Sequence, residues 1–507
     1  MRIALVNCYS GCPIPPGIPP YGVLYVGSAL KRSGHDVHIF DRQLDIRESV
    51  SSFCKRLTKD KYDIYGLGGV TSCYQEALEI VKYLKNQDKK PIVIVGGYLS
   101  SPYKVLLKNA PVDAVVHGEG EITAVELVKA FEAGRNIDDI DGISFCRDGN
   151  VIKTKNREQI ACLDDIPFPD YSLIELEEYL VPGEKAMYFR FAPRIKEYPG
   201  KEIAIVTERG CTNNCTFCYR HMRGMRQHSP GYVLKHIKLL QERYGVDLFR
   251  ISDELTISDS KWAYEFCKLK GRYNLGFLFR IEAARVDMID EKMLVALKDA
   301  GMVEITFGIE SGSQTMLNRM RKNTIVEENL AALNLCAKLG LQTTLSMIVG
   351  LPGENFKTIR ETAAFLRKCP HTAPNIQETE YDDMSDIRIF NPVAFPGTTL
   401  YKQGLATGII KDEHAYLCSL YDNVTMRSYN FTGYPRRIYK WWIHYLYFVY
   451  RSAYFRERKH YRQYLWILFN LIVLTITPEV LNNSRVFEVA GKVLERFAGI
   501  NRARPKQ

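Results

Sequence analysis

The stretch EIAIVTERGCTNNCTFCYR, residues 202–220, runs an apolar, strand-like segment straight into a loop with cysteines at 211, 215 and 218. Thiolates are the natural ligands of iron–sulfur clusters, and three on one short loop can hold a cubane while leaving its fourth iron without a protein ligand. An open coordination position of that kind is where chemistry happens. The alternative for the same residues is structural zinc, which is closed by four ligands, so that His221 would have to be the fourth.

The strand before the cysteines opens a regular alternation. LFRISDE (248–254), FLFRIEA (277–283), EITFGIES (304–311), TTLSMIVG (343–350) and DIRIFNPVAF (386–395) read as further strands. Helical stretches separate them, among them YVLKHIKLLQERYG (232–245), EKMLVALKDAG (291–301), EENLAALNLCAKLG (327–340) and TIRETAAFLRKC (358–369). Six β/α units predict an incomplete barrel, with its active site at the C-terminal strand ends.

Upstream, IALV (3–6), VHIF (37–40), DIYGLGG (63–69) and PIVIVGG (91–97) alternate with the helical VLYVGSALKRSG (23–34) and EALEIVKYLK (76–85). This predicts a doubly wound, Rossmann-like α/β domain with a parallel sheet. Its Gly-rich turns at Gly66, Gly68 and Gly69 and at Gly96 and Gly97 fall where such sheets bind ligands, although tight turns alone also explain them. AVVHGEGEITAVELVKA (114–130) and a hairpin at 141–154 follow, then the Pro-bearing connector IPFPDYSLIELEEYL (166–180). The expected division is a front domain over 1–150, a linker over 151–200, the partial barrel over 201–405 and a helical C-terminal region over 406–507.

With 507 residues, 46% apolar and 25% charged, the chain is a folded protein of more than one domain. MRIALVN reads as a strand and not as a secretory signal, and the 13 Cys lack the spacing of a disulfide scaffold, so a cytosolic protein with reduced thiols is expected. The net charge of +10 is modest for this length, and much of the excess falls between Arg427 and Arg462, where nine Lys or Arg face one Glu. That segment interleaves aromatic and basic residues (WWIHYLYFVYRSAYFRERKHYRQ, 441–463) and precedes the apolar run Tyr464–Ile476. A membrane-surface segment and a packed helical cap both account for it, while the run is shorter than the ~20 residues of a membrane span. Nucleic acid is not the expected partner.

The cysteine loop, with Phe217 just before its last cysteine, resembles that of the radical S-adenosylmethionine (SAM) superfamily. The resemblance implies a 4Fe-4S cluster on Cys211, Cys215 and Cys218, with SAM on the open iron. It places Asp253 and Glu254 near the methionine ammonium, Arg285 at its carboxylate, Glu310 and Ser311 at the ribose, and Ile348 and Gly350 at the adenine. Solvated acidic residues, a capping Arg285 and a core Ile348 are the plain alternatives.

Over about residues 1–405 the order of parts is similar to the cobalamin-binding radical SAM subfamily of methylases and anaerobic cyclases. PPYGVLYVGSALKRSGHDVHIFD (19–41), VIVGG, VVHGEGE, GIESGSQ (308–314), GLPGE (350–354) and FPGTTLY (395–401) carry it. It implies cobalamin in the front domain, with Thr71, Ser72, Gly96, Gly97, Gly118, Glu119, Gly120 and Glu121 as candidate contacts. The first loop, CYSGCPIPPGIPP (8–20), contains no His to lie beneath cobalt, and His117 reads as a turn residue. The expected activity is methylation or cyclisation at an unactivated carbon of a small molecule, lipid-like if the aromatic segment lies on a membrane, with electrons from a flavodoxin or ferredoxin. The rivals are a methylthiotransferase-like enzyme without cobalamin and a non-catalytic cobalamin or cluster sensor. No residue is assigned as the catalytic acid or base.

Overall fold

The apolar runs of the first third form parallel strands because helices can cover both faces of the sheet they build. The computed structural model of the chain describes residues 1–11, 17–182, 200–222, 224–257, 259–372, 386–421 and 429–457. The front domain runs β1 (Arg2–Asn7), α1 (Tyr21–Arg32), β2 (Asp36–Asp41), α2 (Val50–Leu57), β3 (Ile64–Gly68), α3 (Tyr74–Lys85), β4 (Ile92–Val95), α4 (Tyr103–Asn109), β5 (Ala114–Val116), α5 (Gly120–Glu132), β6 (Ile143–Arg147) and β7 (Asn150–Lys153). Its sheet order is β2-β1-β3-β4-β5-β6-β7. The first five strands are parallel, and the expected hairpin, β6 with β7, adds an antiparallel edge. Ile3, Leu5, Leu30, Ile64, Ile94 and Leu127 share one core cluster. Full burial of each such side chain stabilises by about 1.5–3 kcal/mol.

The connector is stitched to this domain. Asp170 receives Lys31 Nζ at 2.7 Å and its own N–H donates to Ser28 Oγ at 2.8 Å, while Tyr179 donates to Asp41 at 2.5 Å. Beyond it come β8 (Val181–Pro182), β9 (Lys201–Ile205), β10 (Glu208–Cys211), β11 (Gly224–Gln227), α6 (Pro230–Tyr244), β12 (Val246–Ile251), α7 (Ser260–Arg272), β13 (Leu278–Ala284), α8 (Glu291–Asp299) and β14 (Met302–Glu310). Strands β9, β12, β13 and β14 are parallel neighbours, and β8 flanks β9 antiparallel. α6 shows why the helices sit where the sequence predicts them. Ser229 caps its start by accepting Tyr232 N–H, Pro230 occupies the first turn, and Gly245 ends it at φ 66°.

The chain divides into two units, Met1–Phe307 with Val393–Tyr429, and Gly308–Pro392 with Asn430–Gln507. β14 leads from the first into the second. There follow α9 (Gln314–Met320), α10 (Val326–Lys338), β15 (Gln342–Ile348), α11 (Phe356–Leu366) and β16 (Ile387–Phe390), the last strand parallel to β15. These elements continue the β/α alternation that the sequence predicts. α12 (Thr399–Ala406) and α13 (Glu413–Ser419) return to the first unit, and α14 (Arg436–Glu457) closes the described part of the second.

α14 carries the aromatic segment as far as Glu457. Tyr439, Trp442, Leu446 and Tyr450 are fully buried, Tyr450 donates to Asp386 at 3.0 Å, and Ile389 N–H donates to Tyr447 at 3.0 Å. These side chains pack into protein, as the helical-cap alternative requires. The apolar run Tyr464–Ile476 lies outside the described residues. Among those described, no helix is long and apolar enough to cross a membrane.

Candidate functional site

The sheet order places β1 between β2 and β3, so the chain reverses direction of winding at β1 and β3, and the crevice beyond their C-terminal ends is the site such sheets offer a ligand. A cavity of about 450 Å³ opens there. Its mouth is lined by Asn7, Cys8, Gly68, Gly69, Gly96 and Gly97, and it runs down to Leu5, Ile64, Ile94 and Val116 between sheet and helices. Gly97 adopts φ 67° and Gly118 φ 70°, conformations that ordinary side chains disfavour. An apolar slot under a glycine rim suits a flat aromatic base with a polar tail, the shape of the nucleotide end of a cobalamin.

The predicted contacts divide. Gly96, Gly97, Gly118, Glu119, Gly120 and Glu121 line the cavity; Thr71 and Ser72 do not. Both are buried behind its wall, and Thr71 donates to the Tyr98 carbonyl at 3.1 Å. The carboxylates of Glu119 and Glu121 are already engaged. Arg209 donates to Glu119 at 2.9 Å and to Glu121 at 2.6 Å, and Arg226 donates to Glu119 at 2.9 Å. His117, read as a turn residue, lies in the loop between β5 and α5, with its side chain 2.8 Å from Ser144 Oγ on the hairpin.

The same cavity extends to Glu208, Arg209, Gly210, His221, Asp253 and Glu254, at the foot of the cysteine loop. That loop springs from the antiparallel pair β10–β11, with Arg209 opposite Arg226. Cys211, Cys215 and Phe217 are half-buried and Cys218 is exposed. Arg220 braces the turn by donating to Asn213 O at 2.8 Å and Asn214 Oδ1 at 2.6 Å, and Cys218 N–H donates to Cys215 O at 3.3 Å. None of the three cysteines is in a disulfide, as cluster ligation requires. Among the described residues no three His, Cys, Asp or Glu side chains converge on a metal-sized point, so the loop is laid out but the sulfurs are not gathered. His221 Nε2 donates to Gly118 O at 2.8 Å, which ties it to the front domain.

Asp253 accepts from Thr207 N at 2.7 Å, Thr207 Oγ1 at 2.6 Å and Glu208 N at 3.2 Å, pinning the start of β10 to the end of β12. Burial pushes the carboxyls of both Asp253 and Glu208 up, and the Asp253 charge raises Glu208 further. Glu254 accepts from the Tyr98 hydroxyl at 2.6 Å. Burial, then that carboxylate, push the phenol up, so Tyr98 stays a donor. Arg285 is paired in two-pronged fashion with Asp287, at 2.9 and 2.8 Å.

In the second unit, Glu310 ends β14 with φ 63°, a left-handed conformation that costs a non-glycine residue on the order of 1–3 kcal/mol. Its Oε1 is held by Lys322 Nζ at 3.0 Å. A side chain at Gly308 would meet both atoms at 2.8 Å. Ser311 Oγ accepts Ser313 N–H at 3.1 Å and lies 3.2 Å from Thr362 Oγ1, so it shapes the turn. Ile348 is half-buried at the end of β15, and Gly350, at φ 110°, donates to Glu354 at 2.6 Å. Burial pushes Glu354 up to about 7. Sequence reasoning missed Tyr98, Arg209, Arg226 and Lys322, and weighed His221 only as a metal ligand. Each acts through a partner distant in sequence, and a single sequence carries no signal for that.

Comparison with known proteins matches residues 14–128 to the B12 binding domain and 205–366 to the radical SAM superfamily. An uncharacterized methyltransferase of Pyrococcus horikoshii is 28% identical over 397 residues, covering 77% of this chain and 80% of that protein. The anaerobic magnesium-protoporphyrin IX monomethyl ester cyclase of Rubrivivax gelatinosus is 30% identical over 380 residues, covering 72% of this chain and 66% of the cyclase. Among solved structures, the cobalamin-dependent SAM radical enzyme OxsB, with aqua-cobalamin and SAM bound, superposes with a TM-score of 0.59. At 21% identity it shares the fold, over 85% of this chain and 58% of OxsB.

Proposed function

The chain belongs to the radical SAM superfamily, in the branch that carries an N-terminal B12-binding domain, and from that membership we propose that it methylates or cyclises a small molecule at an unactivated carbon. One observation carries the reading: a single cavity joins the glycine rim of the B12-type sheet to the foot of the cysteine loop. Groups held on the two sides would stand next to each other there.

Cys211, Cys215 and Cys218 are the residues to hold a 4Fe-4S cluster, and the slot from Gly97 down to Ile94 is the place for the cobalamin tail. Bound there, cluster and SAM supply a hydrogen-abstracting radical and the corrinoid a methyl-transfer centre. The chain's part is to place and enclose them. Gly96, Gly97, Gly118 and Gly120 leave room at the rim, and Asp253 fixes the turn that launches the cysteine loop. Tyr98 orients Glu254, the proposed partner of the methionine ammonium. Arg285 would have to leave Asp287, or share its charge, to take a methionine carboxylate. Glu310, with one oxygen held by Lys322, is the proposed ribose acceptor, beside Ser311; Ile348 and Gly350 border the adenine.

The named relatives include a methyltransferase and a cyclase, and the chain spans 66% of the latter, so the choice of reaction and a lipid-like substrate are proposals. A low-potential donor such as flavodoxin or ferredoxin would reduce the cluster. No described cysteine is in a disulfide, which suits the reducing cytosol. The test is anaerobic purification with cluster reconstitution and added hydroxocobalamin, then mass spectrometry of products from methyl-labelled SAM and a metabolite extract. Bound corrinoid and reductive SAM cleavage are expected. Label in product selects methylation, and its absence from a ring-closed product selects cyclisation. Protein that takes up zinc in place of iron, or never cleaves SAM, would overturn the proposal.

A further inference from the structure

Arg209 and Arg226 face each other across the β10–β11 pair, two like charges directly opposite, an arrangement that weakens a hairpin taken alone. In the folded first unit the repulsion is answered by one turn of the front domain. Glu119 accepts from both guanidinium groups, Glu121 accepts from Arg209, and Arg226 also reaches the Ile160 carbonyl. The side chains involved are 5–15% exposed, so these are enclosed charge pairs and not surface ones. On the far side of the cysteine loop, His221 donates to Gly118 O at 2.8 Å. Residues 209 and 221 bracket Cys211, Cys215 and Cys218. Both ends of the loop are therefore fastened to one short turn, Gly118–Glu121, and that turn lines the front cavity.

We propose that Arg209, Arg226 and His221 are positioning residues, which tie the cysteine loop to the Gly118–Glu121 turn and so set the separation between the group held on the loop and the group held in the front cavity. The inference rests on the functional reading above, since it takes the loop to hold the cluster and the cavity to hold the corrinoid. Methyl and radical transfers demand close, fixed approach of the reacting centres. A tie made of enclosed, two-pronged charge pairs is stiffer than a loop resting on apolar contacts alone. It also explains why Glu119 and Glu121, which line the cavity, direct their carboxylates at arginines.

The test is pulsed electron paramagnetic resonance on the dithionite-reduced holoenzyme, reading the dipolar distance distribution between the reduced cluster and the Co(II) corrinoid. Wild type is expected to give one narrow distribution. Arg209→Gln alone leaves Glu121 enclosed without its cation and loses stability. The decisive variant is the double Arg209→Gln/Glu121→Gln, which removes the Arg209 arm of the tie without stranding a charge and so recovers the urea midpoint. If the residues position the loop, its distribution broadens although stability has returned, and His221→Gln broadens it further. A distribution as narrow as wild type in the double variant overturns the proposal. Arg157→Gln, which removes an ion pair to Glu126 outside the tie, should leave the distribution unchanged, and broadening there would also overturn it. If wild type takes up no corrinoid, the functional reading beneath the inference fails, an outcome distinct from unchanged distances.

Discussion

Along β1, β3 and β4 the buried positions include Ile3, Leu5, Ile64 and Ile94, whereas on β9, β12, β13 and β14 they include Glu202, Arg250, Arg280 and Glu304. Arg280 sits between Glu202, at 2.8 Å, and Glu304, at 3.4 Å, and Arg250 lies 3.7 Å from Glu202. The two sheets are built for different tasks. An apolar slot can part to admit a ligand and loses only non-directional contacts, which the ligand restores. Enclosed charges cannot part, because each would be stranded without its partner. The front sheet thus offers an apolar slot at its strand ends, while the barrel strands carry enclosed charge pairs.

The sharpest way to separate the two regions is Cys215→Ala. Iron content and reductive SAM cleavage should both be lost, while hydroxocobalamin uptake, read from its visible spectrum, should match wild type. Loss of both together would mean that the front cavity cannot form without the cluster.

The next largest effect probes the enclosed charge pairs. Arg280→Met strands Glu202 and Glu304, and a cost of about 3–5 kcal/mol is expected in urea unfolding. The double variant Arg280→Met/Glu202→Gln should recover part of it. A single variant as stable as wild type would show that these charges are hydrated and not enclosed.

Much of this comparison is written in the sequence, and the part that is not has a physical cause. Strands β1, β3 and β4 are legible because continuous apolar runs between glycine turns have few other folds. The cysteine loop is legible because three thiols at that spacing have few other uses. Arg209 and Arg226 are not, since Arg226 becomes the neighbour of Arg209 only when β10 pairs with β11, and Glu119 reaches both only when the front domain folds against them. The sequence does mark Glu119 and Glu121 for the cavity rim, but whether a carboxylate meets a ligand or an arginine depends on contacts about ninety residues away. The aromatic segment from Trp441 on is ambiguous for a related reason. Tyr, Trp and Arg serve a lipid surface and a protein groove alike, and only the structure shows that Trp442 and Tyr450 are buried in protein.

Acidity should act on the two units with opposite sign. Burial holds His117, in the front domain, down to about 4, below its ordinary value near 6.5. The folded state therefore binds fewer protons there than the unfolded chain, and stability is lost as pH falls from about 6.5 through 4. Burial raises Glu354, in the second unit, from 4.5 to about 7, so the folded state binds more protons there, and stability is lost as pH rises through that window. Each contribution is on the order of 3 kcal/mol at most. Urea midpoints measured from pH 4 to 8 should fall at both ends, with His117→Gln flattening the acid side and Glu354→Gln the upper side. A variant that flattens the opposite limb would contradict the assignment.

The smallest expected effect tests the slot itself. A Cβ at Gly68 would lie 2.8 Å from Val23 Cγ2, and both residues line the cavity, so Gly68→Ala narrows the crevice where β3 meets α1. Overpacking of this size costs about 1–3 kcal/mol, part of which α1 can relieve by shifting. If the crevice admits the corrinoid tail, the shift appears as weaker hydroxocobalamin binding, roughly tenfold for 1.4 kcal/mol, with iron content and SAM cleavage unchanged. If Gly68 serves only the packing of α1, stability falls and corrinoid affinity does not. The two measurements together tell whether this sheet opens for a ligand or merely closes on its helix, which is the property that sets it apart from the charged strands of the barrel.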